Sequence, residues 1–413
     1  MTRREFVSGM AALGSSACLD GIPQGHTTPA FPADLSLPRK ADFAIPEGET
    51  YINCAYVHPM PVVGREALRR YAELRSSPVL ATHYDRDVKA EFAALINAKP
   101  SEISYVPNTS TGENLVVNGL GIVGTDSNVV TDALHFDGAL LHLGELKRRS
   151  GLDVRIVMPR DWRTDLEDLE RVIDRKTKLV EISLVAMANG FQHDLKAVCD
   201  LAHAHGAYVY ADIVQAAGNT PIDVRASGLD FAACATFKWL MGDFGLGFLY
   251  VKEELLDRAL RQTQYGYYQA ATIQAHFLPG DDPAPTPGGP YSWTLSNDAT
   301  GRFEVGTSGS GAQHVLAETL PYIRSIGVDK IQAHRQPMLK KLREEMPRLG
   351  FPSITPPEST SAITSFTMKD RANVVERLKK ANVNVRVAED FLRVSPSVFN
   401  DMRDIDKLLE ALS

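Results

Sequence analysis

The feature that most constrains this chain is an alternation. Short apolar runs fall at 128–131, 154–157, 178–185 and 207–212, and amphipathic stretches at 137–149, 164–173 and 195–205 separate them. Further apolar runs follow at 231–236 and 246–251. A short, continuously apolar run between helices reads as a strand buried on both faces. The pattern therefore predicts an α/β fold, a mostly parallel sheet covered by helices. Upstream, helices are expected at 64–74 and 88–96 and a strand at 102–106. After a Pro/Gly-rich loop at 279–290 the rhythm changes: helices at 312–325, 328–349, 373–380 and 401–412 surround strands at 363–368, 383–387 and 391–394. The chain thus divides into a signal and linker over 1–44, an N-terminal arm and large domain over 45–300, and a small C-terminal α/β domain over 301–413.

With 413 residues there is room for a sizeable core. A formal net charge of -7 argues against a dedicated nucleic-acid binder, which must neutralise phosphates. The four cysteines, Cys18, Cys54, Cys199 and Cys234, match neither a metal pattern nor a disulfide framework, and no metal ligands are assigned. No run beyond the N-terminus is long and apolar enough to span a bilayer. Arg3-Arg4 before a mildly apolar stretch at 8–19 resembles a twin-arginine export signal. Export to the periplasm or beyond is the expectation, and a cytoplasmic location if that signal does not function.

The run Tyr208-Val209-Tyr210-Ala211-Asp212 ends in a carboxylate, and ligands of open α/β sheets bind at the carboxyl edge of the strands. Lys238 follows directly after the next apolar run. An amine and a carboxylate facing one crevice suit pyridoxal phosphate (PLP), which needs a Schiff-base lysine and an anion beside its ring nitrogen. Taken singly, a helix cap and a surface lysine are the plainer readings. Ahead of an apolar helix at 115–120 stands Asn108-Thr109-Ser110-Thr111-Gly112-Glu113-Asn114, whose hydroxyls and backbone amides suit an anion or an ordinary cap. His135, just past a buried strand, offers a flat ring for stacking or a satisfied core histidine.

Together these segments resemble the class V aminotransferase family of PLP fold type I, which includes cysteine desulfurases, isopenicillin-N-epimerase-like proteins and carbon–sulfur lyases. The resemblance also draws on Tyr51-Ile52-Asn53-Cys54-Ala55, on Asp212-Ile213-Val214-Gln215, on Lys238-Trp239-Leu240-Met241-Gly242, on Gly306-Thr307 and on Leu392-Arg393-Val394-Ser395-Pro396. It implies that Lys238 carries the cofactor and moves protons and that Asp212 pairs with the ring nitrogen. It also implies that Gln215 reaches the phenolic oxygen, that His135 stacks on the ring, and that Thr109 and Ser110 hold the phosphate. Arg393 would grip a substrate carboxylate, with Asn53 beside it. Thr307 would serve the partner subunit's phosphate, making a homodimer the expected form. Where many members have His before the lysine this chain has Phe237, and Thr236 is the candidate to compensate. Val185-Ala186-Met187 stands where a polar residue is expected near the cofactor.

The segment Arg386-Val387-Ala388-Glu389-Asp390-Phe391 lacks the cysteine that a persulfide-forming desulfurase needs there. The reading is a PLP enzyme of an amino-acid-type substrate, epimerase-like or carbon–sulfur lyase-like after α-proton removal, with aminotransfer as the alternative. Tyr265, Tyr267 and Tyr268 are candidates for the substrate side, or plain packing. A non-catalytic PLP-fold binding protein would be favoured by loss of Lys238 or Asp212, and both are present. A nicotinamide dehydrogenase would want a GxGxxG turn, which is absent.

Overall fold

Strands Ile103–Val106 (β1), Asn128–Asp132 (β2), Asp153–Val157 (β3), Thr177–Ser183 (β4), Tyr208–Asp212 (β5), Phe231–Ala235 (β6) and Gly247–Val251 (β7) form one sheet in the order β1-β7-β6-β5-β4-β2-β3. The structure is a computed structural model that describes residues 36–77, 86–274 and 292–413. The twin-arginine start, Cys18 and the loop at 279–290 lie outside the described residues. From β6 to β3 every neighbouring pair is parallel, while β7 runs antiparallel to both β1 and β6. The expected parallel sheet is therefore present with one reversed strand. The short link between β6 and β7, which has no room for a crossover helix, accounts for the reversal.

The central strands are buried along most of their length because helices cover both faces. Helices that position the site are Thr109–Gly119 (α1), Asp137–Ser150 (α2) and Leu195–Ala204 (α3). One apolar cluster joins β4, β5 and β6 to α3 and to residues of helix Ser310–Ile326, and a second packs Leu115, Val116 and Leu143 against the opposite face. A third cluster gathers Met338, Leu342, Phe366, Leu392, Ile405 and Leu408 with Ile52 from the N-terminal arm.

Some elements differ from their sequence patterns. The 164–173 stretch forms a helix only over Leu166–Glu170. The 383–387 run splits, Val383–Asn384 pairing with Thr50–Tyr51 and Arg386–Val387 with Phe391–Val394. Helix α1 starts at Thr109 rather than after the hydroxyl-rich segment, since Asn108 caps it by accepting from Thr111 N at 2.9 Å. The hairpin of Ala270–Gln274 and Ser292–Leu295 had no clear sequence pattern. Among the described residues no helix is long and apolar enough to cross a membrane.

Candidate active site

Asp212 ends β5 and Ala235 ends β6, and the two strands are parallel neighbours with Asp212 opposite Ala233. Lys238, three residues past Ala235, is thereby carried to the same carboxyl edge. A tight turn fixes its backbone: Met241 N donates to the Lys238 carbonyl at 2.8 Å and Gly242 N to that of Thr236 at 2.9 Å. The turn after Asp212 presses against this segment. Gly218 has φ of +88°, and a Cβ there would lie 2.6 Å from the Trp239 carbonyl oxygen, so only glycine permits the approach. Trp239 Nε1 donates to Gln215 Oε1 at 2.9 Å, and Gln215 Nε2 donates to the Ala55 carbonyl at 3.0 Å. The N-terminal arm, the Gln215 turn and the lysine segment are thus tied together.

Thr109, Ser110, Asp212, Gln215 and Lys238 line one cleft with Asn108, Phe136, Ser183, Val185, Met187, Val214, Ala235 and Phe237. At one end α1 presents its N-terminus, where backbone amides and the helix dipole favour an anion. Thr109 Oγ1 accepts from Ala235 N at 3.0 Å and so anchors that helix start to the end of β6. Lys238 is the basic side chain among the residues that line the cleft. Burial depresses its pKa to about 8, against the opposing pull of Asp212 and with the help of Arg393. Burial raises the Asp212 carboxyl above its usual range, and the hydrogen bond from Val214 N at 2.8 Å, His135 and Lys238 resist that shift. Phe237 stacks on Phe244 at 4.5 Å between centroids, and Lys238 Nζ lies 5.7 Å from its ring.

Other expected site residues are placed differently. Thr236 is fully enclosed, and its hydroxyl donates to the carbonyls of Asp243 at 2.6 Å and Leu246 at 3.0 Å. Its hydroxyl is engaged in its own turn, and Thr236 is not among the residues that line the cleft. His135 lies beneath the cleft rather than on its wall, with Nδ1 2.8 Å from Ser183 Oγ. Arg393 is buried and donates through Nη1 to the Met187 carbonyl at 2.7 Å, while its Nε has no hydrogen-bond partner among the described residues. Burial, then Arg386, lowers its pKa to about 10. Asn53 bridges to Ser395, two residues past Arg393, and its Nδ2 donates to Asn384 Oδ1 at 3.4 Å. Thr307 is exposed and off this cleft, and Tyr265, Tyr267 and Tyr268 are likewise exposed rather than on the wall.

Sequence reasoning missed Trp239 as the residue that holds Gln215. It also missed three buried or half-buried groups below the cleft: Glu113, Glu181 and His142. One signal was available. Glu181 interrupts the run Leu179-Val180-Glu181-Ile182, and a carboxylate inside a doubly covered strand needs partners.

The donor set pairs an amine of lowered pKa with a buried carboxylate, a bound glutamine and a helix N-terminus bearing hydroxyls. A phosphorylated aldehyde with a ring nitrogen satisfies all four. The sheet order and this site define an α/β protein of PLP fold type I. The chain belongs to the class-V aminotransferase family, whose pattern matches residues 73–408. Among curated relatives, a probable cysteine desulfurase of Methanothermobacter thermautotrophicus is 27% identical over 342 residues, covering 80% of this chain and 81% of that one. Two solved structures of the C-DES protein share the fold. A lysine-to-alanine mutant with glycine covalently linked to the PLP cofactor aligns with a TM-score of 0.76 at 20% identity, over 91% of this chain and 99% of that one. The complex of the cystine C-S lyase with its product cysteine persulfide aligns at 0.73 and 20% identity, over 89% and 97%.

Proposed function

We propose that this protein is a PLP-dependent lyase that removes the α-proton of a sulfur-bearing amino acid and expels the β-sulfur group. The observation that carries the reading is Lys238, held with a lowered pKa beside Asp212 in a cleft whose remaining wall is largely apolar: Val185, Met187, Val214 and Phe237. PLP, once bound, would delocalise the electron pair left at the substrate α-carbon. Lys238 would hold it and take the α-proton, Asp212 would face its ring nitrogen, and Gln215 has one amide hydrogen to spare for its phenolic oxygen. Thr109, Ser110 and the α1 N-terminus would hold the phosphate. Arg393, with an unengaged Nε, would take the substrate carboxylate as a charge-assisted partner.

Loss of sulfur to solution is favoured over transfer to the protein. The three cysteines among the described residues, Cys54, Cys199 and Cys234, are all buried, and burial raises each thiol above its usual pKa. None stands in the segment 386–391. The apolar wall suits a thioether or disulfide side chain better than a charged one. A homodimer belongs to the same reading, since Thr307 is exposed and off its own chain's cleft.

The test is incubation of the PLP-loaded chain with a panel of amino acids in deuterated water. Pyruvate, ammonia and a released sulfur species from cysteine or cystine are the expected products. α-Deuteration without pyruvate would make it an epimerase, and amino transfer to a keto acid an aminotransferase. Bound PLP with no exchange at all would make it a binding protein.

A further inference from the structure

Below the cleft the sheet carries an unusual set of polar side chains. Side chains two apart on a strand share a face, so Glu181 and Ser183 of β4 point the same way, as do Tyr210 and Asp212 of β5. The strands are in register, Glu181 opposite Tyr210 and Ser183 opposite Asp212, and Thr131 of β2 stands opposite Glu181. Ser183 and Asp212 line the cleft. Glu181 and Tyr210 therefore lie one step beneath its floor.

Two helices add to this layer. Glu113 of α1, His135 and Glu181 bring their polar atoms within 4.8 Å of one another. His135 Nε2 is 3.7 Å from Glu181 Oε1, with both side chains at 0% exposure. Neither Glu181 oxygen, nor His135 Nε2, nor the Tyr210 hydroxyl has a hydrogen-bond partner among the described residues. On the far side, His142 Nδ1 of α2 lies 2.8 Å from Glu113 Oε1, and its side chain is 14% exposed. His142 thus connects the buried layer to the surface.

We propose that Glu181, Glu113 and His142 form a buried proton relay that sets the charge of His135 just beneath the cleft floor and links it to solvent at α2. Two carboxylates in one dry layer cannot both stay charged without a shared proton or a cation, and the two imidazoles supply the protons. The charge balance agrees. Burial, then the Glu181 charge, raises the Glu113 carboxyl to about 7, despite His142 and His135. Burial pulls His135 down, but Glu181, Asp212 and Glu113 outweigh it and leave the imidazole raised. His142 is raised in the same way by Glu113 and Glu181. The other titratable groups facing the layer are Tyr210 and Asp212, with Lys238 beyond Asp212; Cys234 and Asp132 alternate to the opposite face of the sheet, where Asp132 is paired to His193 at 2.9 Å. Glu181 and Glu113 are positioning residues here, acting through His135. The inference rests on the cleft being the active site, but its test does not require turnover.

The full-length chain as purified is labelled with ¹⁵N-histidine and titrated by NMR, the two signals being assigned from His135→Gln and His142→Gln. Glu181→Gln is expected to lower the His135 midpoint by about one pH unit, tenfold in proton affinity, and Glu113→Gln to lower that of His142 comparably. Unchanged midpoints in both folded variants overturn the relay. If the variants fail to fold, infrared difference spectra of the unaltered chain decide. A buried carboxyl band that titrates at about pH 7 is expected, and its absence overturns the relay. A stoichiometric divalent metal in the purified chain, lost in Glu181→Gln, would also overturn it, because the layer would then be a metal site.

Discussion

The indole N–H of Trp239 donates to the side-chain carbonyl of Gln215 at 2.9 Å, so the residue after the lysine holds the residue three past the aspartate. Both side chains are buried, and the remaining end of the Gln215 amide is tied to Ala55. Trp239→Phe keeps the aromatic packing but leaves a buried acceptor unpaired. It should destabilise the chain by about 1–3 kcal/mol, read by denaturant unfolding. It should also weaken PLP retention, read by dialysis.

Asp212→Asn keeps the acceptor for Val214 N but removes the charge beside Lys238. Turnover should fall on the order of 10²–10³-fold, the scale on which a preorganised electrostatic partner acts. The pH dependence has a definite sign. Burial holds Lys238 at about 8, so its neutral, nucleophilic form appears as pH rises through that value rather than through the usual lysine range. Asp212 opposes that depression, so in Asp212→Asn the inflection in the rate of PLP capture should move to lower pH. An unmoved inflection would show that the two groups do not interact.

Arg393→Gln should raise KM for amino acids by about ten- to a hundredfold, the value of one or two charge-assisted hydrogen bonds, while PLP binding changes little. A proportional loss of PLP binding would assign Arg393 to the cofactor instead.

Alkylating reagents should leave Cys54, Cys199 and Cys234 unmodified in the native chain, because all three are buried and their thiols are shifted upward. Mass spectrometry after turnover with cysteine should find no persulfide on these residues. A persulfide on Cys54 would refute release of sulfur to solution.

Much of this was legible in the chain itself. Strands such as 207–212 and 391–394 announce themselves as apolar runs between helix patterns, and a terminal Asp or a following Lys marks the carboxyl edge. The reversed direction of β7 is written not in its apolar run but in the short link after 231–236, which leaves no room for a crossover helix. The engagement of the Thr236 hydroxyl was not legible: two residues from Lys238 it reads as available, and only the folded turn shows it bonded to Asp243 and Leu246. Glu113 and His142 sit on helices where polar residues usually meet solvent. Only their pairing across α1 and α2 shows that the carboxylate faces inward.

The central claim is that Lys238 holds PLP, and the visible spectrum of the purified chain tests it most directly. With PLP added, the unaltered chain should show a bound-cofactor band that survives desalting, and Lys238→Ala should lose it together with turnover. No band in the unaltered chain, or a band and turnover retained in Lys238→Ala, would contradict the account.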